Sequence, residues 1–314
     1  MDTLQYYDLC VIGGGSIGGI IAYYSFRGGI TNIPVYYRSI ESVEAIMKNG
    51  GLTIKYGDKE YLVPIIPVHY TKPIGKCRFI INTVKAYNVK DTINLMHKIT
   101  SEDSLILMLQ NGFGSLELVE EKIFNRYIAG GVVFIGAERI NKYYIVHHGG
   151  RTIIAGSRRG FTSKLLELMN ILNRGGCDFR VTSNIDLYRW IKLGVNAVIN
   201  PLTAITRSKN KIVLTRYGRI LAEEIIDELI IAAEKHGFKL DKERLLTTIF
   251  RGSENTSENY SSMAQDVINN MPTEIDYING FIAKHVGEKS VNGVITRIVH
   301  LIEESYMKNN YNKS

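Results

Sequence analysis

Three polar side chains, Lys192, Asn196 and Asn200, stand four residues apart in an otherwise apolar run from Trp190 to Pro201. A period near 3.6 puts them on one face of a helix that is apolar almost all round. A buried ammonium or amide without a partner costs roughly several kcal/mol, so the ladder needs partners. Two arrangements supply them. Either Lys192 runs its stem out to water while the two Asn bond neighbouring helices, or the ladder lines a polar cleft in which Lys192 acts on a bound substrate. A second group lies near the start of the chain: Gly13-Gly14-Gly15-Ser16-Ile17-Gly18 follows the apolar run Asp8–Ile12 and precedes the helical stretch Gly19–Phe26. This is G-x-G-x-x-G between a strand and a helix. Gly13 permits a tight turn, Gly15 lets a pyrophosphate approach the backbone, and Gly18 lets helix pack on strand. The helix start then offers free N–H groups to the phosphates.

The elements that must hold these groups are α/β first and all-α afterwards. The strand Ile33–Tyr37 ends in Arg38-Ser39, where an NAD-binding chain usually carries a carboxylate for the ribose hydroxyls. A guanidinium there suits a 2′-phosphate instead, so NADPH is expected over NADH, with Glu41 close by as the opposing feature. Gly51–Lys55 and Glu60–Ile65 read as a hairpin; Cys77–Val84 and Leu105–Leu109 read as buried strands. Lys85 and Asn111 follow the last two at their carboxyl ends, where open α/β sheets bind ligands. Ile128–Ile135, Tyr143–His147 and Arg151–Ala155 are expected as strands, the last two joined by a His148-Gly149-Gly150 turn that points the His147 and His148 rings apart. Phe161–Leu172 reads as a helix and Asp178–Val181 as a final strand. From Ile185 the pattern is helical only, which sets expected domains of 1–182 and 183–314. Ser262 and Gln265 are spaced as a capping box. A helix is expected over Glu274–His285, with Glu274 in its first turn, and the tail Lys308–Ser314 is expected to be disordered.

The chain has 314 residues, 45% of them hydrophobic and 22% charged, the profile of a globular protein with room for two cores. No stretch of about 18 apolar residues is present and the first residues lead directly into a strand, so neither a membrane span nor a signal peptide is expected. The net charge of +7 is uneven: residues 1–182 hold 21 Lys+Arg against 15 Asp+Glu, and residues 183–314 hold 17 against 16. The excess on the nucleotide-binding half suits anionic small molecules. Its dispersal argues against nucleic acid, which calls for a dense basic stripe. Cys10, Cys77 and Cys177 are scattered and odd in number, which favours reduced thiols in the cytoplasm, and no metal-ligand spacing occurs.

Five blocks together resemble the ketopantoate reductase (2-dehydropantoate 2-reductase) family: Gly13–Gly18, Thr83–Ala86, Gln110–Gly114, Lys192–Ala204 and Ser261–Asp266 followed by Thr273–Gly280. The likeness runs from about residue 7 to residue 285. It implies a Rossmann-type NADP-binding domain followed by an all-α domain like the C-terminal one of 6-phosphogluconate dehydrogenase. The implied activity is NADPH-dependent reduction of ketopantoate to (R)-pantoate, in pantothenate and coenzyme A biosynthesis. Lys192 would be the general acid with Glu274 beside it, and Asn196 and Asn200 would orient it and the substrate. Ser262 would bind the keto-acid carboxylate and Asn210 would face the substrate. Lys85 and Asn111 would lie near the nicotinamide, and Arg38 would meet the 2′-phosphate. Substrate would bind between the two domains, and a homodimer is expected. Lys209-Asn210 stands where the family often has Pro-Asn. The competing readings are a dehydrogenase for another hydroxy acid or a polyol phosphate, and a nucleotide-sensing protein without turnover.

Overall fold

β1 (Tyr6–Ile12) is an inner strand of a ten-stranded sheet, and its carboxyl end opens into the glycine loop. The computed structural model describes residues 5–125, 127–160 and 163–311. After β1 come α1 (Ser16–Arg27), β2 (Pro34–Tyr37), α2 (Ile40–Asn49), β3 (Leu52–Tyr56), β4 (Lys59–Val63), β5 (Ile66–His69) and β6 (Lys76–Asn82). Then follow α3 (Val89–Ile99), β7 (Thr100–Met108), α4 (Ser115–Lys122), β8 (Ile128–Arg139), β9 (Tyr144–Gly156), α5 (Ser163–Arg174) and β10 (Asp178–Val181). Across the sheet the order is β5-β2-β1-β6-β7-β8-β9-β3-β4, with β10 also on β9. Every pair from β5 to β8 is parallel, while β8–β9 and β3–β4 are antiparallel. The chain leaves β1 for β2 on one side and reaches β6 on the other. The topological switch therefore falls at the end of β1, where doubly wound sheets take their ligands. This is the expected Rossmann-type architecture. Apolar layers cover both faces: Leu9, Val11, Phe79 and Ile81 on one, Cys10, Ile12, Ile80 and Ile106 on the other.

Three expectations for this unit need correction. β9 is one continuous strand, not two joined by a turn. A register shift opposite Gly136 absorbs Gly149 and Gly150, and the reversal of chain direction lies between Arg139 and Tyr144. The two His rings do point apart, but through strand alternation: His147 is buried against the Tyr24 hydroxyl at 2.7 Å, whereas His148 meets Glu138 at 3.0 Å. Second, Ile66–His69 forms an additional strand, because the β2 edge offers a parallel partner that its Pro-containing sequence does not advertise. Third, Cys10 and Cys77 are joined as a disulfide, with Cα atoms 5.9 Å apart, so reduced thiols hold only for buried Cys177. Strict alternation breaks between Tyr7 and Leu9 in β1 and between Cys77 and Phe79 in β6. That break turns Cys10 and Cys77 to the same face, a placement that separation in sequence cannot show.

Chain contacts group Asn111–Phe113 with the residues from Asp186 onward as a second unit, apart from the remainder. Its helices are α6 (Ile185–Thr206), α7 (Arg216–Lys235), α8 (Lys242–Asn255), α9 (Ser262–Ile268), α10 (Asn279–Val286) and α11 (Val291–Tyr311). Their shared core includes Trp190, Leu193, Ala197, Ile225, Leu229 and Ile282. Pro201 lies inside α6, and the helix continues past it to Thr206. Proline cannot donate to the carbonyl four residues back. That carbonyl, of Ala197, instead accepts from Asn279 Nδ2 at 2.9 Å. The stretch expected as one helix from Glu274 is a short 3₁₀ turn, Ile275–Tyr277, followed by α10. α11 begins at Val291 and reaches Tyr311, so it includes Lys308–Tyr311 of the tail expected to be disordered; residues 312–314 lie outside the described ones. Among the described residues no helix is long and apolar enough to cross a membrane.

Candidate active site

The glycine loop is closely packed at Gly13 and Gly18 and open at Gly15. Gly13 has φ +95°, and a Cβ there would lie 2.8 Å from the Val84 nitrogen. A Cβ on Gly18 would come within 2.0 Å of the Gly13 carbonyl oxygen, so helix and turn touch only because Gly18 has no side chain. At Gly15, by contrast, a Cβ would meet nothing within 4 Å, which leaves an open approach to the backbone. Gly15 is also the N-cap of α1, and no side chain caps that helix start. Its N–H groups, together with Ser16 and Ile17 of the first turn, are placed to receive a pyrophosphate. Gly14 lies against the ring of Tyr37. These residues fit a dinucleotide.

Arg38 is exposed immediately after β2, and its Nη1 donates to Asn88 Oδ1 at 3.3 Å. Glu41 accepts a hydrogen bond from the Ser39 hydroxyl, which draws its pKa below the usual range. Ser39 in turn caps α2 through the Ser42 amide. Lys85 precedes the short 3₁₀ turn Ala86–Asn88 after β6. Gln110, which sequence reasoning passed over, donates to the Asn82 side chain at 3.0 Å and to the Val84 carbonyl at 3.1 Å, tying the loops that follow β6 and β7.

In the helical unit, α6 carries the ladder. Asn196 and Asn200 are buried, and Lys192 is half-buried with its amine desolvated, which pushes its pKa down to about 8. Asn196 Nδ2 donates to Asn111 Oδ1 at 3.2 Å, and Asn111 Nδ2 donates to Glu274 Oε2 at 3.1 Å. Glu274 is 5% exposed, so this carboxylate sits in the interior with amide support. Three residues separated by up to 163 positions are thereby linked in one polar chain, with the ladder's Asn196 at one end.

The remaining site residues fall elsewhere in the unit. Asn210 is buried in a 3₁₀ turn, where Nδ2 donates to Thr256 Oγ1 at 2.8 Å. This carboxamide contact is thus at the end of α8 rather than on the ladder. Ser262 is exposed as the first residue of α9, and the expected Ser262–Gln265 capping box does not form, because the cap lies one residue earlier. Ser261 is the N-cap, accepting from the Ala264 amide at 3.1 Å. Its hydroxyl also meets Thr203 Oγ1 at 2.6 Å, which ties the start of α9 to the ladder helix. Two consecutive serines made the register ambiguous; the tertiary contact with Thr203 selects the first.

A dinucleotide loop at a sheet switch point and a desolvated lysine on an amide-lined helix face are the parts of a nicotinamide-dependent ketone reductase. The family model described as ketopantoate reductase PanE/ApbA matches residues 9–160, and its C-terminal counterpart matches residues 184–303. A 2-dehydropantoate 2-reductase of Pyrococcus horikoshii is 33% identical over 289 residues, covering 88% of this chain and 89% of that one. Another, from Pyrobaculum aerophilum, is 28% identical and covers 88% and 90%. Among solved structures, D-mandelate dehydrogenase with NADH and anilino(oxo)acetate shares the fold at a TM-score of 0.90. It is 22% identical and covers 96% of this chain and 99% of that one. Taken with the glycine loop and the α6 ladder, these matches across both units establish that the chain belongs to the ketopantoate reductase family.

Proposed function

We propose that this chain is a 2-dehydropantoate 2-reductase that reduces ketopantoate to (R)-pantoate with NADPH, a step of pantothenate and coenzyme A biosynthesis. The observation that carries the reading is the Lys192 amine, held with a pKa near 8 on the face shared with Asn196 and Asn200. NADPH supplies the hydride when bound. The chain's part is to hold the dinucleotide, orient the keto acid and deliver a proton to the C2 oxygen. Negative charge grows on that oxygen as the ketone is reduced, so a cationic donor helps the transition state more than the ground state. An amine with a pKa near the working pH is still largely protonated and gives its proton up readily. Glu274, with Asn111 and Asn196, stabilises the charged form of Lys192 and fixes the amides that align the substrate. Asn200 and Asn210 bind the substrate, and the Ser262 hydroxyl binds its carboxylate.

On the cofactor side, the Gly13–Gly18 turn holds the pyrophosphate, Arg38 the 2′-phosphate, and Lys85 and Asn111 the nicotinamide end. The proposal places the enzyme in the cytoplasm as a homodimer. Steady-state rates with ketopantoate, pyruvate and phenylglyoxylate, each with NADPH and with NADH, test it. The expected result is the highest kcat/KM for ketopantoate with NADPH. A preference for another keto acid by tenfold or more would reassign the substrate.

A further inference from the structure

Asn111 links Asn196 to Glu274, yet it stands in a loop whose own sequence, Asn-Gly-Phe-Gly, has little to stiffen it. What holds that loop is the residue two positions on. Phe113 is 6% exposed and enters the core of the helical unit. Its ring stacks on Phe281 of α10, with centroids 4.8 Å apart and planes 14° apart, and lies 4.7 Å from Trp190 of α6. The Arg189 guanidinium covers it 4.1 Å from the centroid, and Arg189 is itself held by Asp186 at 2.9 Å. The Phe113 amide donates to the Tyr277 carbonyl at 3.1 Å. Between these anchors Gly112 takes φ +77°, where a Cβ would fall 1.9 Å from the Tyr277 oxygen. The loop therefore lies directly on the 3₁₀ turn that follows Glu274.

We propose that Phe113 is a positioning residue: packed against both the Trp190 and Phe281 rings, it registers Asn111 against Glu274 and Asn196. The inference rests on the reductase reading for its kinetic consequence, but its geometric content stands alone. Both contacts of Asn111 are single hydrogen bonds, and neither fixes the backbone from which the side chain departs. Trp190 precedes Lys192 by two residues on the same helix, so one aromatic contact ties the loop to the element carrying the amine. A displacement of about 1 Å in such a group can cost on the order of 100-fold in rate. An aromatic pair adds specificity of orientation that an aliphatic side chain of similar volume lacks.

The test uses the full chain with Phe113→Leu, which keeps apolar bulk, and Phe113→Ala. Each is expected to lower kcat with ketopantoate by about 10- to 100-fold while KM for NADPH moves less than about threefold. In an Asn111→Ala background, adding Phe113→Leu should lower kcat no further, because the group it positions is already gone. Losses that multiply would overturn the proposal, since they would mean Phe113 acts through general stability. A crystal structure of the Phe113→Leu variant gives an answer that needs no turnover. Loss of the Asn111–Glu274 contact supports the inference, and retention of that contact together with the Asn196 contact overturns it. A wild-type chain that leaves NADPH unoxidised with every keto acid would sink the reductase reading while leaving the crystallographic comparison decisive for Phe113.

Discussion

Replacement of Lys192 by methionine removes the ammonium while keeping most of the side chain's volume, so the chemical consequence is separated from a packing defect. Burial holds the Lys192 pKa near 8 against an ordinary value of 10.5. The proton donor for reduction is the protonated amine, and its population follows directly. One pH unit above that value about a tenth of the enzyme is competent, and two units above it about a hundredth. The wild-type kcat for ketopantoate reduction should therefore be flat at neutral pH and fall about tenfold per unit above pH 8. Pantoate oxidation needs the neutral amine and should rise through the same range. In Lys192→Met, kcat should drop by roughly 10²- to 10⁴-fold and the basic limb should disappear. KM for NADPH should hardly change. Thermal melting should show no loss of stability, because burial disfavours the charged amine in the folded state. Below pH 8 the folded protein carries that penalty in full, and it fades as pH rises toward 10.5. The assay is a set of initial rates from loss of NADPH absorbance across pH, for wild type and variant. A variant that retains kcat, or that keeps the basic limb, would refute the assignment of the proton to this residue.

Three further perturbations probe other parts of the account. Arg38→Ala should raise KM for NADPH by about tenfold and leave KM for NADH nearly unchanged, since it deletes a charge-assisted contact available only to the 2′-phosphate; equal changes for both would count against that role. Gly18→Ala places a methyl 2.0 Å from the Gly13 carbonyl oxygen and should cost roughly 1–3 kcal/mol of stability together with dinucleotide binding. Normal binding by calorimetry would show the turn to be slack. The Cys10–Cys77 bond closes a separation of 67 residues, so Cys10→Ser should destabilise by up to about 4 kcal/mol on the chain-entropy scale. Thiol titration of the denatured chain should find one free thiol before reduction and three after; three before reduction would show the bond does not form.

Local chemistry made some of this site readable from the chain alone. The glycine loop is legible because Gly18 answers to the Gly13 carbonyl within one strand–turn–helix unit and Gly13 to its own positive φ, although the contact that closes on Gly13 comes from Val84. The α6 ladder is legible because a period of four on an apolar helix leaves few explanations for an ammonium and two amides. What could not be read depends on residues far apart in sequence. Nothing around Asn111 announces that its carboxamide bridges to Asn196, 85 residues away, and to Glu274, 163 residues away. Ser261 rather than Ser262 caps α9 because Thr203 happens to face it. That α6 runs on past Pro201 depends on Asn279, which takes the carbonyl the proline leaves open. The β9 strand looked like a hairpin because Gly149-Gly150 is good turn chemistry, and only the pairing with β8 turns it into a bulge. Cys10 and Cys77 meet because β1 and β6 are neighbours that break alternation at the same level, a coincidence of tertiary register.

The most direct measurement is a crystal structure of the full chain with NADP⁺ and pantoate bound together. The account predicts Lys192 Nζ within about 3 Å of the pantoate C2 hydroxyl oxygen, on the reacting side of the nicotinamide. An ordered ternary complex in which that amine points to bulk solvent, with another group donating to the hydroxyl, would contradict it.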